Sequence, residues 1–356
     1  MKNRIFFVVI LMLLSFISCS SDNKVDEPSI PTDLTISAVK FGADGNNPNG
    51  DGSGVVNFTI TATDATSYKV LINNETLELK ENTFSYTFSK PGTNDYKIIA
   101  AAYNSSGNTS ITYSITVYVE TELNLIWQDE FNQDGAPDAS KWGYNTGTGD
   151  NGWGNNEAQY YTNRLDNAKV EGGLLKITAK KEDFQGSAYT SARLLTAGKF
   201  EFTYGRVDVR AKLPAGGGVW PAIWMLGANF GTVGWPACGE IDIMEYVGNN
   251  PGHISSALHT TSSSGATVNY KATSITNETT EFHLYSVIWT EDSITFLLDD
   301  VAYYTYNPSI KNDSTWPFYN NQFLILNIAM GGNLGGTIDT NFNSSTMEID
   351  YVRVYQ

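Results

Sequence analysis

Polar and apolar residues alternate with a period of two along most of the chain. Between residues 31 and 120 the alternating segments fall at 55–60, 67–72, 84–88, 96–102 and 111–119. Clusters of Gly, Asn, Asp and Pro separate them, notably at 44–54 and 104–108. Short strands at near-even spacing with turn signals between them predict a small two-sheet sandwich of immunoglobulin-like size. A second unit is expected from residue 123 to residue 356. Its strand signals lie at 174–179, 192–195, 199–213, 241–247, 256–259, 282–290, 293–298, 322–329 and 347–355. No stretch of a dozen residues keeps a helical period, so the unit reads as a large, mostly antiparallel sandwich in an all-β chain.

The N-terminus has a different pattern. Lys2 and Arg4 precede an apolar run from residue 5 to 17. The run is shorter than the ~20 residues a membrane-spanning helix needs, and it suits the core of a signal peptide. Cys19 follows, then a polar stretch. The arrangement resembles the lipobox of bacterial lipoproteins. It predicts a signal peptide over 1–18, lipidation at Cys19 and a linker over 19–30. The expected location is the outer membrane of an exporting bacterium, facing out, with the acyl chains as the only membrane contact.

Composition narrows the field. The 356 residues include 22 Lys+Arg and 38 Asp+Glu, a formal charge of −16. Nucleic-acid binding needs a basic face, and this chain offers none. Two cysteines exclude a disulfide framework, and three histidines leave little for a His-based metal centre. Aromatic residues make up 13%, which suits a β-rich protein that handles flat apolar surfaces.

The segment Gly239-Glu240-Ile241-Asp242-Ile243-Met244-Glu245 carries the candidate chemistry. On a strand, Glu240 and Asp242 share one face while Ile241 and Ile243 take the other. Glu245 breaks the parity and would enter the core, where an unpaired carboxylate is costly. One bulge at Met244 returns it to the acidic face. Three adjacent acids repel, so their value is chemical. A pair of carboxyls can act as nucleophile and acid/base on a glycosidic bond, with the third orienting the nucleophile. An exposed acidic strand face or a calcium site would give the same pattern. Upstream, Trp220 and Trp224 share strand parity, and their rings suit the apolar faces of sugars, although either alone would fit a core.

With Trp220-Pro221-Ala222-Ile223-Trp224-Met225-Leu226, the acidic segment resembles the signature of glycoside hydrolase family 16, in its β-bulged, laminarinase-like branch. Supporting motifs are Trp127-Gln128-Asp129-Glu130-Phe131, Asn156-Glu157-Ala158-Gln159-Tyr160-Tyr161, Tyr204-Gly205-Arg206 and Ile349-Asp350-Tyr351-Val352. The resemblance implies a concanavalin-like β-jelly roll that cleaves β-1,3-glucan or mixed β-1,3/1,4-glucan internally with retention. It implies Glu240 as nucleophile, Asp242 as its helper and Glu245 as acid/base. Asn156, Glu157, Arg193 and His259 would join Trp220 and Trp224 in binding substrate. Catalysis would need no cofactor, and a structural calcium would lie at Glu130, Gly173 and Asp350. One departure stands out: relatives often have Trp-Pro where this chain has Leu334-Gly335, which removes a stacking ring. Rival readings are a non-catalytic surface glycan-binding protein, a transglycosylase and a galactan-directed hydrolase. A monomer is the default expectation.

Overall fold

The computed structural model describes residues 29–45, 47–120 and 123–356. The expected signal peptide, the lipidated Cys19 and most of the 19–30 linker lie outside the described residues. Among the described residues, no helix is long and apolar enough to cross a membrane. The described residues divide into two compact units, one before and one from residue 123.

The first unit is a sandwich of a three-stranded and a four-stranded sheet. Thr32–Lys40, Val55–Thr63 and Thr83–Thr87 form one; Glu75–Leu79, Ser67–Ile72, Gly92–Asn104 and Gly107–Val119 form the other. Every pairing is antiparallel. Alternation sends Val56, Phe58 and Ile60 inward to meet Val70, Ile72, Ile98 and Ala100, all essentially inaccessible. Thr32–Lys40 adds a strand that the sequence pattern did not show; it sends Ile36 into the core and leaves Thr35, Ser37 and Val39 exposed.

The second unit packs a ten-stranded sheet against a seven-stranded sheet around one large core. In chain order the seven strands are β1 (Gly143–Asn145), β2 (Arg193–Leu195), β3 (Val219–Gly227), β4 (Glu240–Tyr246), β5 (His253–His259), β6 (Tyr270–Ser274) and β7 (Gln322–Met330). Their spatial order is β6-β5-β4-β3-β7-β2-β1. All nine residues of β7 are buried, so this central strand is covered on both faces. That explains its near-continuous apolar sequence, which only Gln322 at its start and Asn327 in its middle interrupt. Residues 199–213, expected as one strand, form a strand only over Gly205–Lys212, because Tyr204 has a left-handed backbone and Gly205 follows with φ 126°. A side chain at Gly205 would meet the Tyr355 carbonyl oxygen at 2.2 Å, so the close approach requires glycine there.

Phe58 is 1% exposed and stacks on Phe84 with ring centroids 4.9 Å apart. Phe58→Ala should lower the unfolding free energy of the first unit by about 3–5 kcal/mol, measured by guanidinium titration.

Candidate active site

Strand β4 makes the site. Ile241, Ile243, Met244 and Tyr246 all enter the core, although Ile243 and Met244 are sequence neighbours. Two consecutive inward residues require a bulge, and the register shows it. Asp242 pairs with Trp224 and Met244 with Ile223, so Ile243 is the extra residue against β3. Against β5, Asp242 pairs with Ala257 and Glu245 with Ser255. Ser256 alone therefore faces the Ile243–Met244 pair. Beyond the bulge Glu245 emerges on the same open face as Glu240 and Asp242.

Paired residues in a sheet point the same way, so the register also names the neighbours on this face. One row runs Arg193–Asn327–Ala222–Glu245–Ser255, the next Ile325–Trp224–Asp242–Ala257, and the third Phe323–Leu226–Glu240–His259. The two glutamates each take an indole donor. Trp220 Nε1 donates to Glu245 Oε1 at 2.9 Å, and Trp235 Nε1 donates to Glu240 Oε2 at 3.0 Å. His259 Nε2 stands 3.1 Å from Asp242 Oδ2 and 3.7 Å from Glu240 Oε1. The Trp235 ring lies 5.9 Å from the His259 ring and is 46% exposed, so it forms part of the open surface.

Burial, and then the neighbouring charges, hold all three carboxyls far above their ordinary range, to about 8. They titrate as a coupled group, so what matters is which one ionises first. Glu240 is raised by desolvation and by Asp242, but His259 and Arg193 oppose the shift. Asp242 is raised by desolvation and relieved by its hydrogen bond with Glu240. Glu245 is raised by desolvation and by Asp242, with relief from the Trp220 N–H and the His259 charge. Arg193 eases the charge on Glu240 and does not act on Glu245, which favours an ionised Glu240 beside a protonated Glu245. Those are the states a nucleophile and a general acid require.

The other expected residues divide by what they touch. The Arg193 guanidinium lies between two indoles, 4.6 Å from the Trp153 ring and 4.7 Å from the Trp224 ring. Burial lowers its pKa, and its Nε has no hydrogen-bond partner. It is not a surface ion pair. Trp224 therefore spends one ring face on Arg193, and its Nε1 donates to Asn327 Oδ1 at 2.7 Å. This limits it as a free sugar platform. Glu157 accepts from Asn155 on one oxygen and from Gln159 and Tyr161 on the other, so it braces the wall from within. Asn156 is exposed and donates to Asn333 at 2.8 Å, tying residues 152–156 to the glycine-rich loop. In that loop Gly335 packs against the Gly218 carbonyl and the Trp220 Cβ, and Leu334 is exposed.

Trp153, Trp235, Tyr161 and Asn327 were not anticipated. Asn327 was visible as an amide in the middle of the apolar run of β7, and Tyr161 accepts its Nδ2–H at 3.0 Å. Trp153 gave no signal, because its position depends on left-handed backbone at Asn151, Trp153 and Asn156.

Two of the expected calcium ligands make ion pairs in this structure. Glu130 makes a two-bond ion pair with Arg353 at 2.7 and 2.9 Å, and Asp350 binds Arg210 at 2.6 Å. Gly173 has only backbone to offer. Among the described residues, the acid and histidine cluster with ligand-like spacing is Glu240, Asp242 and His259, whose atoms lie within 4.8 Å of one another. That cluster lies on the open face of β4 described above.

A two-sheet β-sandwich with paired, differently poised carboxyls beside indole rings defines a glycoside hydrolase. The chain belongs to glycosyl hydrolases family 16, whose sequence profile matches residues 155–353. It is 44% identical over 244 residues to a β-glucanase of Rhodothermus marinus, covering 65% of this chain and 85% of that protein. It is 40% identical over 264 residues to glucan endo-1,3-β-glucosidase A1 of Niallia circulans, covering 66% of this chain and 38% of that protein. The crystal structure of a laminarinase from Flavobacterium sp. UMI-01 superposes with a TM-score of 0.62 at 47% identity, covering 65% of this chain and all of that one.

Two predictions follow from the carboxyl environment. A carboxyl whose folded pKa is raised stabilises the fold fully below its unfolded value near 4.5 and loses that contribution as pH rises through about 8. Glu245→Gln should thus raise the denaturation temperature by roughly 2–5 °C at pH 8 and leave it unchanged at pH 4, by scanning calorimetry. Trp220→Phe removes the N–H that favours the charged form of Glu245, so the alkaline limb of kcat/KM should move to higher pH.

Proposed function

We propose that the second unit hydrolyses β-1,3-glucan or mixed β-1,3/1,4-glucan internally, with retention of anomeric configuration. The observation that carries this reading is the bulge-aligned face on which Glu240 and Glu245 each sit under their own indole N–H. Glu245 gives its proton to the departing glycosidic oxygen while a Glu240 oxygen attacks the anomeric carbon. The products are a glycosyl ester on Glu240 and a free chain end. Glu245, now a carboxylate, takes a proton from water. The water oxygen attacks the anomeric carbon, the ester bond breaks, and Glu240 returns as a carboxylate. Asp242 and His259 hold the nucleophile's orientation through the contacts described above.

The substrate class is inferred from the β-glucan-cleaving relatives together with the retained acids. A glycan-binding protein without activity would have no use for carboxyls held this far from their ordinary range. Galactan-directed cleavage is the rival that the departure at Leu334-Gly335 keeps open, since that loop borders Trp220. We further infer that the first unit is an immunoglobulin-like module, from its size and its two packed sheets. The lipobox-like segment at Cys19 supports export and attachment to the outer membrane, with the catalytic unit facing polymer outside the cell.

Incubation with laminarin, barley β-glucan, agarose and carrageenan should release reducing ends from the first two only. Proton NMR of the earliest product should show the β-anomer before mutarotation. Glu245→Gln should reduce laminarin turnover by about 10²–10⁴-fold, and Glu240→Gln by at least as much. Near-normal turnover in either variant contradicts the assigned roles.

A further inference from the structure

The bulge that places Glu245 interrupts the regular pairing at Ile243 and Met244, inside the sandwich. A buried carbonyl at such a break needs a donor. Ser256, fully inaccessible and alone opposite the bulged pair, donates its hydroxyl to Ile243 O at 2.7 Å. A serine hydroxyl has one proton, and that proton is committed to the carbonyl. The second contact of Ser256 Oγ, to the Tyr303 hydroxyl at 2.5 Å, must therefore run the other way, with the tyrosine as donor. Burial pushes the Tyr303 phenol up to about 12, so it remains a donor throughout the working range.

Tyr303 belongs to the opposite sheet, on the strand Val301–Tyr306. There Phe296 pairs with Tyr304 and Leu297 with Ala302, which makes Tyr303 the extra residue of a second bulge. Two bulges, one in each sheet, are thus joined across the core by the chain Tyr303 O–H to Ser256 O–H to Ile243 carbonyl. Neither Ser256 nor Tyr303 reaches the open face, and neither has a part in the mechanism above.

We propose that Ser256 and Tyr303 are positioning residues for the acid/base: their relay fixes the Ile243 bulge and so sets where the Glu245 carboxyl meets the departing glycosidic oxygen. Glu240 lies before the bulge, so its placement is independent of the relay. The consequence is selective. Losing the relay impairs proton delivery to a poor leaving group and spares attack by Glu240.

This inference rests on the hydrolase reading, and the experiment separates the two. Ser256→Ala and Tyr303→Phe are each compared with the unmodified protein on laminarin, whose sugar leaving group needs protonation, and on 2,4-dinitrophenyl laminaribioside, whose phenolate leaves without it. The quantity read is kcat/KM, which reports the first irreversible step. Both variants should lose roughly ten- to a hundred-fold on laminarin and less than about two-fold on the aryl glycoside. Equal losses on both substrates, or no loss on laminarin, overturn the proposal. Tyr303→Phe keeps the ring that fills the core, so it decides alone if Ser256→Ala fails to fold by tryptophan fluorescence. If the unmodified protein cleaves neither substrate, the hydrolase reading fails instead.

Discussion

Three carboxyls crowded onto one face of a single strand are the constraint around which the second unit is arranged. The crowding is unfavourable for the fold, and much of the surrounding sequence offsets it. Ile241, Ile243, Met244 and Tyr246 anchor the strand from below. Indole N–H groups from Trp220 and Trp235 reach the two glutamates, and His259 faces Asp242 and Glu240. Removing any of the acids would ease folding, so their retention points to chemistry. The same burial that is costly to stability keeps a proton available at neutral pH.

The surroundings of the two glutamates are not the same. His259 and an indole N–H act on both glutamates, whereas Arg193 acts on Glu240 alone. Arg193 can exert its effect because Trp153 and Trp224 clasp it without neutralising it; a carboxylate partner would have cancelled its field. The network from Trp224 through Asn327 and Tyr161 to Glu157 then fixes that wall to β7, the strand covered on both faces.

Local pattern carried much of this into the sequence. The alternation Glu240-Ile241-Asp242-Ile243 fixes a face, and the cost of burying Glu245 makes a bulge the economical resolution. The same logic locates the inward positions of the first sandwich. Features set by distant partners were not legible. Nothing near Glu130 or Asp350 announces Arg353 or Arg210, the cations they pair with. Trp224 reads as a sugar platform until Arg193, thirty-one positions earlier, is found lying on it. Ser256 and Tyr303 look like ordinary strand residues because their role exists only when two sheets meet.

The account stands on Glu240 as the residue that bonds to the sugar. Treating the protein with a 2-deoxy-2-fluoro laminaribiosyl fluoride, digesting it and sequencing the labelled peptide by mass spectrometry tests this directly. The fluorosugar should be found on Glu240 and nowhere else in the strand. A label on Glu245 or Asp242, or inactivation with no covalent adduct, would contradict the account.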